Sequence, residues 1–231
     1  SDGMGGSENG ALASEIVVSM LPRMVANRMR GLSVESDEAI RLALRSAVAD
    51  LSDQLHAKTN GFSGVRGMGA TVVVLLIRGG RVHVAHMGDS RMYSLHDGRM
   101  DRTTNDHSVV GILERRHELS PQQARVHAAR GHLTRFVGMP LPALPDVTTV
   151  AVQGGDRILV CTDGLTGMVD DDAIAALLRD GGHPQDTCGR LVKAAIAAGG
   201  RDNVTAVLLD WWDHLGESGL GPCAQSIEGS G

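Results

Sequence analysis

Four aspartates share one kind of local setting, each where an apolar run meets a glycine or asparagine turn. They are Asp2 in Ser-Asp-Gly-Met-Gly-Gly, Asp89 in His-Met-Gly-Asp-Ser-Arg, Asp163 in Val-Cys-Thr-Asp-Gly-Leu and Asp202 in Gly-Gly-Arg-Asp-Asn-Val. A carboxylate at a strand end projects from the rim of a sheet, and a neighbouring glycine lets a backbone carbonyl come close to whatever the carboxylate holds. Hard divalent cations favour that mixture of carboxylate, carbonyl and water oxygens. Asp-Gly and Asp-Asn are also ordinary turn pairs, and for any one of these positions alone the turn reading is the stronger. Asp97-Gly98 is read as a turn and nothing more.

Other reactive side chains are less informative. Ten histidines are present and none has the spacing of a zinc pair; His83 and His86, three apart on one strand, point to opposite faces. Cys161, Cys188 and Cys223 are odd in number and lack any C-x-x-C spacing, so neither a disulfide framework nor a zinc knuckle is indicated, and a reducing cytoplasm suits them. The Gly3–Gly10 segment is not a nucleotide-binding loop, because no strand precedes it and no P-loop lysine follows.

The elements that must position the aspartates follow from periodicity. Leu12, Ile16, Val17, Met20, Leu21 and Met24 recur at helical spacing and predict a helix over 11–30, bent at Pro22. A second helix starts near Ser36, with the stripe Ile40, Leu44, Ala47, Val48, Leu51 and Leu55. Apolar runs over 71–77 and 82–87 flank Gly79-Gly80, a hairpin signal, and the unbroken run from Val72 to Ile77 predicts a strand buried on both faces. A strand over 91–95 turns at Asp97-Gly98 into a fourth. Residues 108–130 read as a polar, partly helical surface excursion, with Ser120 capping a helix that opens on Pro121. Strands over 147–152 and 157–161, helices over 171–178 and 187–198, and a last strand over 203–211 complete the pattern. The expected class is α+β: an antiparallel β-sandwich of two sheets flanked by helices on both outer faces, forming one domain over 1–212, with 213–231 a mobile tail or linker.

Bulk composition removes whole function classes. Only 2% of residues are aromatic, too few to build a base-stacking platform, and the net charge of -5 gives no attraction to a phosphate backbone. Nucleic acid is therefore excluded as a partner, and a protein partner is favoured. No apolar run approaches the roughly 20 residues of a membrane span, so no membrane contact is expected from this segment. Lysine is confined to Lys58 and Lys193 while arginine, alanine and glycine abound, as high-GC bacterial coding would produce.

Six strings occur in a telling order: Asp-Gly-Met-Gly-Gly (2–6), Met-Gly-Asp-Ser-Arg (87–91), Thr-Asn-Asp-His-Ser (104–108), Leu-Thr-Arg-Phe-Val-Gly (133–138), Cys-Thr-Asp-Gly-Leu (161–165) and Arg-Asp-Asn-Val-Thr (201–205). In that order and over nearly the whole chain they resemble the bacterial type-2C metal-dependent serine/threonine protein phosphatases. The resemblance implies hydrolysis of phosphoserine and phosphothreonine in proteins at a binuclear manganese or magnesium site, opposing a bacterial kinase. It implies that Asp2 bridges two tightly bound ions with the Gly3 carbonyl as a further ligand, that Asp163 and Asp202 hold the first ion, and that Asp89 holds a third, weaker one. Thr162 and Asn203 resemble outer groups that orient the ligands. Water between two divalent ions has its pKa pulled from 15.7 toward about 7, which makes hydroxide available for in-line attack on the ester. Segment 106–131 resembles the family's flap over the site edge, with Asp106 and His107 in a family motif and Arg115, Arg116 and Arg125 able to meet phosphopeptides or simply to form a solvated basic face.

Two departures from the family pattern stand out. Met4 occupies the place where eukaryotic members carry a histidine general acid, which leaves protonation of the leaving group to water at the metals or another group. The family's Arg-x-x-Asn-Glu-Asp string, whose arginine grips the substrate phosphate, has no counterpart in these residues; either it lies in a longer parent chain or this is a variant without it. Asp2 is therefore expected to fray at a terminus, with weakened metal binding and impaired turnover. A different class of function remains open, a non-catalytic regulatory domain that keeps the fold and metals and binds a phosphoprotein; turnover of a small aryl phosphate separates the two.

Overall fold

The computed structural model describes residues 1–30, 32, 36–60, 67–140, 142, 144–212 and 225–229. Along the chain run β1 (Gly3–Met4), α1 (Ser7–Met29), α2 (Asp37–Asn60), β2 (Gly69–Ala70), β3 (Val72–Arg78), β4 (Arg81–Met87), β5 (Arg91–His96) and β6 (Arg99–Arg102). There follow α3 (Val109–Arg115), α4 (Pro121–Val126), β7 (Asp146–Ala151), β8 (Arg157–Cys161) and α5 (Asp163–Thr166). The chain continues through α6 (Asp171–Arg179), α7 (Pro184–Ala197), β9 (Val204–Asp210) and β10 (Gln225–Gly229). They form two compact units: Ser1–Ser90 with Asp106–Ala151, and Arg91–Asn105 with Val152–Gly231. Every strand pair is antiparallel, and the α+β class is as the sequence implies.

In the first unit, α2 lies on a three-stranded sheet of order β3-β4-β7, and α1 packs against α2 and the short β1-β2 pair. All six residues of the α2 stripe are at most 1% exposed. Each large aliphatic among them contributes roughly 1.5–3 kcal/mol by leaving water. On α1 the buried row is Ala13, Val17, Leu21 and Val25, with Ile16, Met20 and Met24 packed alongside; Leu12, expected in the stripe, is 44% exposed. The helix runs on through Pro22. That residue and Val18 both face solvent, so the Val18 carbonyl, which Pro22 cannot satisfy, is open to water. The β3/β4 hairpin turns through Gly79 (φ 57°) and Gly80 (φ 71°), the positive-φ pair that a two-residue turn demands. Only Val72 of β3 is buried, contrary to the expectation of burial on both faces. β3 is an edge strand with one neighbour, and the fully buried run is Val82–Met87 on the central strand β4.

In the second unit the sheet order is β10-β9-β8-β5-β6, and α5, α6 and α7 cover one face with Leu165, Ile174, Leu178, Leu191 and Ala195 against Leu159, Ala206 and Leu208. β5 follows β4 after three residues yet pairs with β8 and β6, so the Gly88-Asp89-Ser90 turn carries the chain from one sheet to the other. Arg157, 7% exposed, donates to both Asp210 carboxylate oxygens (2.7 and 3.1 Å) and to the Leu178 and Gly182 carbonyls, tying the end of β8 to β9 and to the α6–α7 connection. Within the segment read as a tail, Gln225–Gly229 pairs with β9; residues 213–224 and Cys223 among them lie outside the described residues. Among the described residues no helix is long and apolar enough to cross a membrane.

Candidate functional site

Each of the four aspartates stands at a strand end. Asp2 precedes β1, Asp89 lies between β4 and β5, Asp163 follows β8 as the first residue of α5, and Asp202 precedes β9. Asp2 does not fray. Its carbonyl accepts the Thr71 N–H (2.8 Å), its N–H donates to the Thr71 hydroxyl (3.0 Å), and the Ser1 hydroxyl donates to the Thr71 carbonyl (2.8 Å). Gly3 and Met4 then pair with Ala70 and Gly69. The terminus is held because β2 supplies it with a partner strand, so the expectation of a loose Asp2 is corrected. Gly3 itself is pressed onto α1: a Cβ there would lie 1.8 Å from the Gly10 carbonyl oxygen, so only glycine allows β1 to sit so close to the helix.

The Asp89 turn is fastened on both sides. The Ser90 hydroxyl meets the Thr71 hydroxyl at 2.7 Å, and Gly88 exchanges two bonds with His107, accepting its N–H (2.9 Å) and donating to its Nδ1 (3.2 Å). With Nδ1 accepting, the ring proton resides on Nε2, which donates to Asp146 Oδ2 (3.1 Å); Arg135 grips the same carboxylate. Burial pushes the His107 pKa down to about 4 against the pull of Asp146, so the ring is neutral near pH 7. Although burial opposes its ionisation, bonds from Arg135 and His107 hold the Asp146 carboxyl at about 2.

His86, His107 and Asp146 bring ligand-type atoms within 4.8 Å of one another. They make a poor cation site. The His86 and His107 rings stack at 4.6 Å with planes only 16° apart, so their in-plane lone pairs do not converge, His107 Nε2 carries a proton, and Arg135 already neutralises the carboxylate. The cluster is a hydrogen-bonded brace behind the Asp89 turn.

In the flap segment, Asp106 and His107 are buried, Ser108 caps α3, and Ser120 caps α4 through a reciprocal pair of bonds with Gln123. Arg115 donates to the Asp106 carbonyl (2.9 Å) and Arg116 lies 3.9 Å from Glu118. These two arginines serve the segment's own structure; Arg125 lies in the last turn of α4, where its carbonyl accepts a bond from Arg130 (3.4 Å).

The second unit joins Asp163 and Asp202. The Thr162 hydroxyl accepts the Thr205 N–H (3.1 Å) and lies 3.5 Å from the Asn203 carbonyl oxygen, while Thr162 N–H donates to the Thr205 carbonyl (3.1 Å). Gly164 lets the first turn of α5 meet that carbonyl: a Cβ on it would come within 2.0 Å of the Asn203 oxygen. Asp202 Oδ1 accepts the Asn203 N–H (2.8 Å). Asp163 Oδ1 is buried and without a hydrogen-bond partner among the described residues.

Sequence reasoning gave no role to Thr71, Ser90, Arg135 or Asp146. Thr71 had one visible signal, a hydroxyl residue at the mouth of the apolar run Val72–Ile77, and Ser90 and Arg135 stand within two of the six strings; Asp146 meets its partners only through tertiary structure.

The chain is 34% identical over 217 residues to the serine/threonine protein phosphatase PstP of Mycobacterium tuberculosis, covering 92% of this chain and 40% of that protein. It is 31% identical over 209 residues to the serine/threonine phosphatase stp of Listeria welshimeri, covering 90% and 82%. This chain thus spans well under half of the mycobacterial relative and most of the Listeria one. A solved structure of the PstP catalytic domain in complex with two manganese ions matches with a TM-score of 0.73 at 29% identity, over 91% of this chain and 85% of that one. The family model described as protein phosphatase 2C matches residues 1–198, which takes in the whole chain from β1 to α7 and three of the four aspartates, and the chain belongs to that family.

Proposed function

We propose that this chain hydrolyses phosphoserine and phosphothreonine esters in proteins with the help of bound manganese or magnesium. The Asp163 carboxylate carries the reading. Its Oδ1 is buried with no hydrogen-bond partner among the described residues, and a charged oxygen in that position is costly unless a cation meets it. The donors at the other three positions are of the same chemistry, carboxylates beside backbone carbonyls at strand ends, which suits a hard divalent ion. Asp2 with the Gly3 carbonyl, Asp163 and Asp202 would hold two ions tightly, and Asp89 a third more weakly.

Bound there, such ions would lower the pKa of water toward neutrality and offset the charge of the phosphoryl group. The chain's own residues do the positioning. Thr71 fixes Asp2, the His107 brace fixes the Asp89 turn, and Thr162 with Gly164 fixes Asp163 against the Asp202 segment. A protein nucleophile is not needed, and Cys161, 1% exposed in β8, is a packing residue. The substrates are phosphoproteins of a bacterial serine/threonine kinase pathway, met along segment 106–131, and the setting is cytoplasmic.

A phosphothreonine peptide and a small aryl phosphate, assayed with Mn²⁺ and again after exhaustive chelation, test the proposal. Turnover should vanish in EDTA and return with Mn²⁺ better than with Ca²⁺, whose larger radius tolerates looser geometry. Undiminished activity after chelation refutes the metal mechanism, and metal binding without turnover of either substrate would turn the reading to the regulatory domain.

A further inference from the structure

Thr71 sits between β2 and β3, is 3% exposed, and touches two ligand-bearing segments at once. Its hydroxyl accepts the Asp2 N–H (3.0 Å) and bonds the Ser90 hydroxyl (2.7 Å), while its own N–H donates to the Asp2 carbonyl (2.8 Å). One donor and two acceptor positions are all a hydroxyl has, so these two bonds use most of its capacity on residues that adjoin or carry candidate ligands. The methyl side is occupied as well. A Cβ on Gly88 would lie 2.6 Å from Thr71 Cγ2, so the turn before Asp89 rests directly on that methyl.

We infer that Thr71 is a positioning residue that sets Asp2 and the Gly88-Asp89-Ser90 turn in one fixed arrangement, so that affinity for a divalent cation depends on its hydroxyl. This rests on the reading of Asp2 and Asp89 as metal ligands. The β3/β4 backbone ladder begins at the next residue, Val72↔Met87, and needs nothing from the Thr71 side chain. Losing the hydroxyl frees the Asp2 amide and the Ser90 hydroxyl without dismantling the sheet. Groups that orient metal ligands change metal affinity by about 10–100-fold when removed.

The test compares the full chain with Thr71→Val, which keeps the methyl and the shape, and with Thr71→Ser, which keeps the hydroxyl. Mn²⁺ affinity is read by calorimetry on folded protein, beside amide hydrogen exchange of the N-terminal and 88–90 peptides in EDTA. Thr71→Val should bind Mn²⁺ at least about tenfold more weakly and exchange faster in both peptides, with Thr71→Ser within about threefold of the parent. A purely structural role would lower the melting temperature yet leave the Mn²⁺ affinity of the folded protein unmoved, and that result overturns the inference. If Thr71→Val does not fold, Ser90→Ala carries the test, and an unchanged Mn²⁺ affinity there overturns it equally. A parent chain that binds no Mn²⁺ at all removes the ligand reading, and the inference with it.

Discussion

Gly164→Ala is a one-carbon perturbation whose effect can be worked from the structure. The residue lies in the first turn of α5 between Asp163 and a buried Leu165, with ordinary helical backbone, so alanine meets no conformational penalty there. The new Cβ would instead lie 2.0 Å from the Asn203 carbonyl oxygen, where real Cβ contacts almost never fall below 3.0 Å. Relief therefore takes a displacement of about 1 Å, and it must come either from the turn that holds Asp163 or from the Asp202-Asn203 segment. Overpacking of this kind costs about 1–3 kcal/mol of stability. A 1 Å misplacement of groups that organise a reaction costs about 100-fold in rate. The expected result is a folded protein with weakened Mn²⁺ binding and kcat/KM on phosphothreonine peptide down by about 100-fold. Gly189→Ala is the matched control: it lies in α7 with open space around its Cβ, so activity should be unchanged and stability should rise by up to about 1 kcal/mol. A folded Gly164→Ala protein within threefold of the parent in kcat/KM and Mn²⁺ affinity would refute the reasoning, because the close approach of α5 to Asn203 would then do nothing for the site.

Two further outcomes are expected. His107 is held neutral with its pKa near 4, below the ordinary 6.5, so the unfolded chain takes up a proton first as pH falls; the stability contribution is complete above about pH 6.5 and is lost as pH drops through about 4, amounting to at most about 3 kcal/mol. Urea unfolding in EDTA at pH 7 and pH 5 should show a steeper loss for the parent than for His107→Gln, and equal slopes would contradict this. Arg157→Met strands the Asp210 carboxylate and two carbonyls, and should cost about 3–5 kcal/mol by urea unfolding, most of it recovered in the double variant with Asp210→Leu; a single-variant loss below 1 kcal/mol would show that the pair is solvated after all.

The elements declared by local chemistry were legible. Gly79-Gly80 marked the hairpin, Ser120-Pro121 the start of α4, and the α2 stripe its buried face. What a run of apolar residues cannot say is how many neighbours it will have, and so Val72–Ile77 looked like an interior strand while its partner β4, interrupted by His83 and His86, took the central place. The three-residue link from β4 to β5 likewise reads as a turn within one sheet, because the change of sheet is decided by pairing with β8, some seventy residues downstream. At the candidate site the carboxylates were visible through their glycine and asparagine neighbours, and their order identified the family. The supports were not: Thr71, Ser90, Arg135 and Asp146 act across 11 to 69 positions of sequence, where no spacing rule reaches. Asp2 was misjudged for the same reason, since the strand that secures it, Gly69–Ala70, is too short to announce itself.

The two units are interleaved in sequence, the second beginning at Arg91, breaking off at Asn105 and resuming at Val152. This has a consequence for how the protein is made. A ribosome that has delivered residues 1–90 has produced β4 with one edge still open, and the strand that closes it, β7, emerges only after the chain has detoured through β5 and β6. Those two strands in turn wait for β8 before they belong to any larger sheet. Neither unit can be completed while the other is untouched, and the pairings that close them are long-range, the kind that slows folding. A cut anywhere between Arg91 and Ala151 would divide both units, and during synthesis the open edge of β4 stays exposed until β7 has emerged to pair with it.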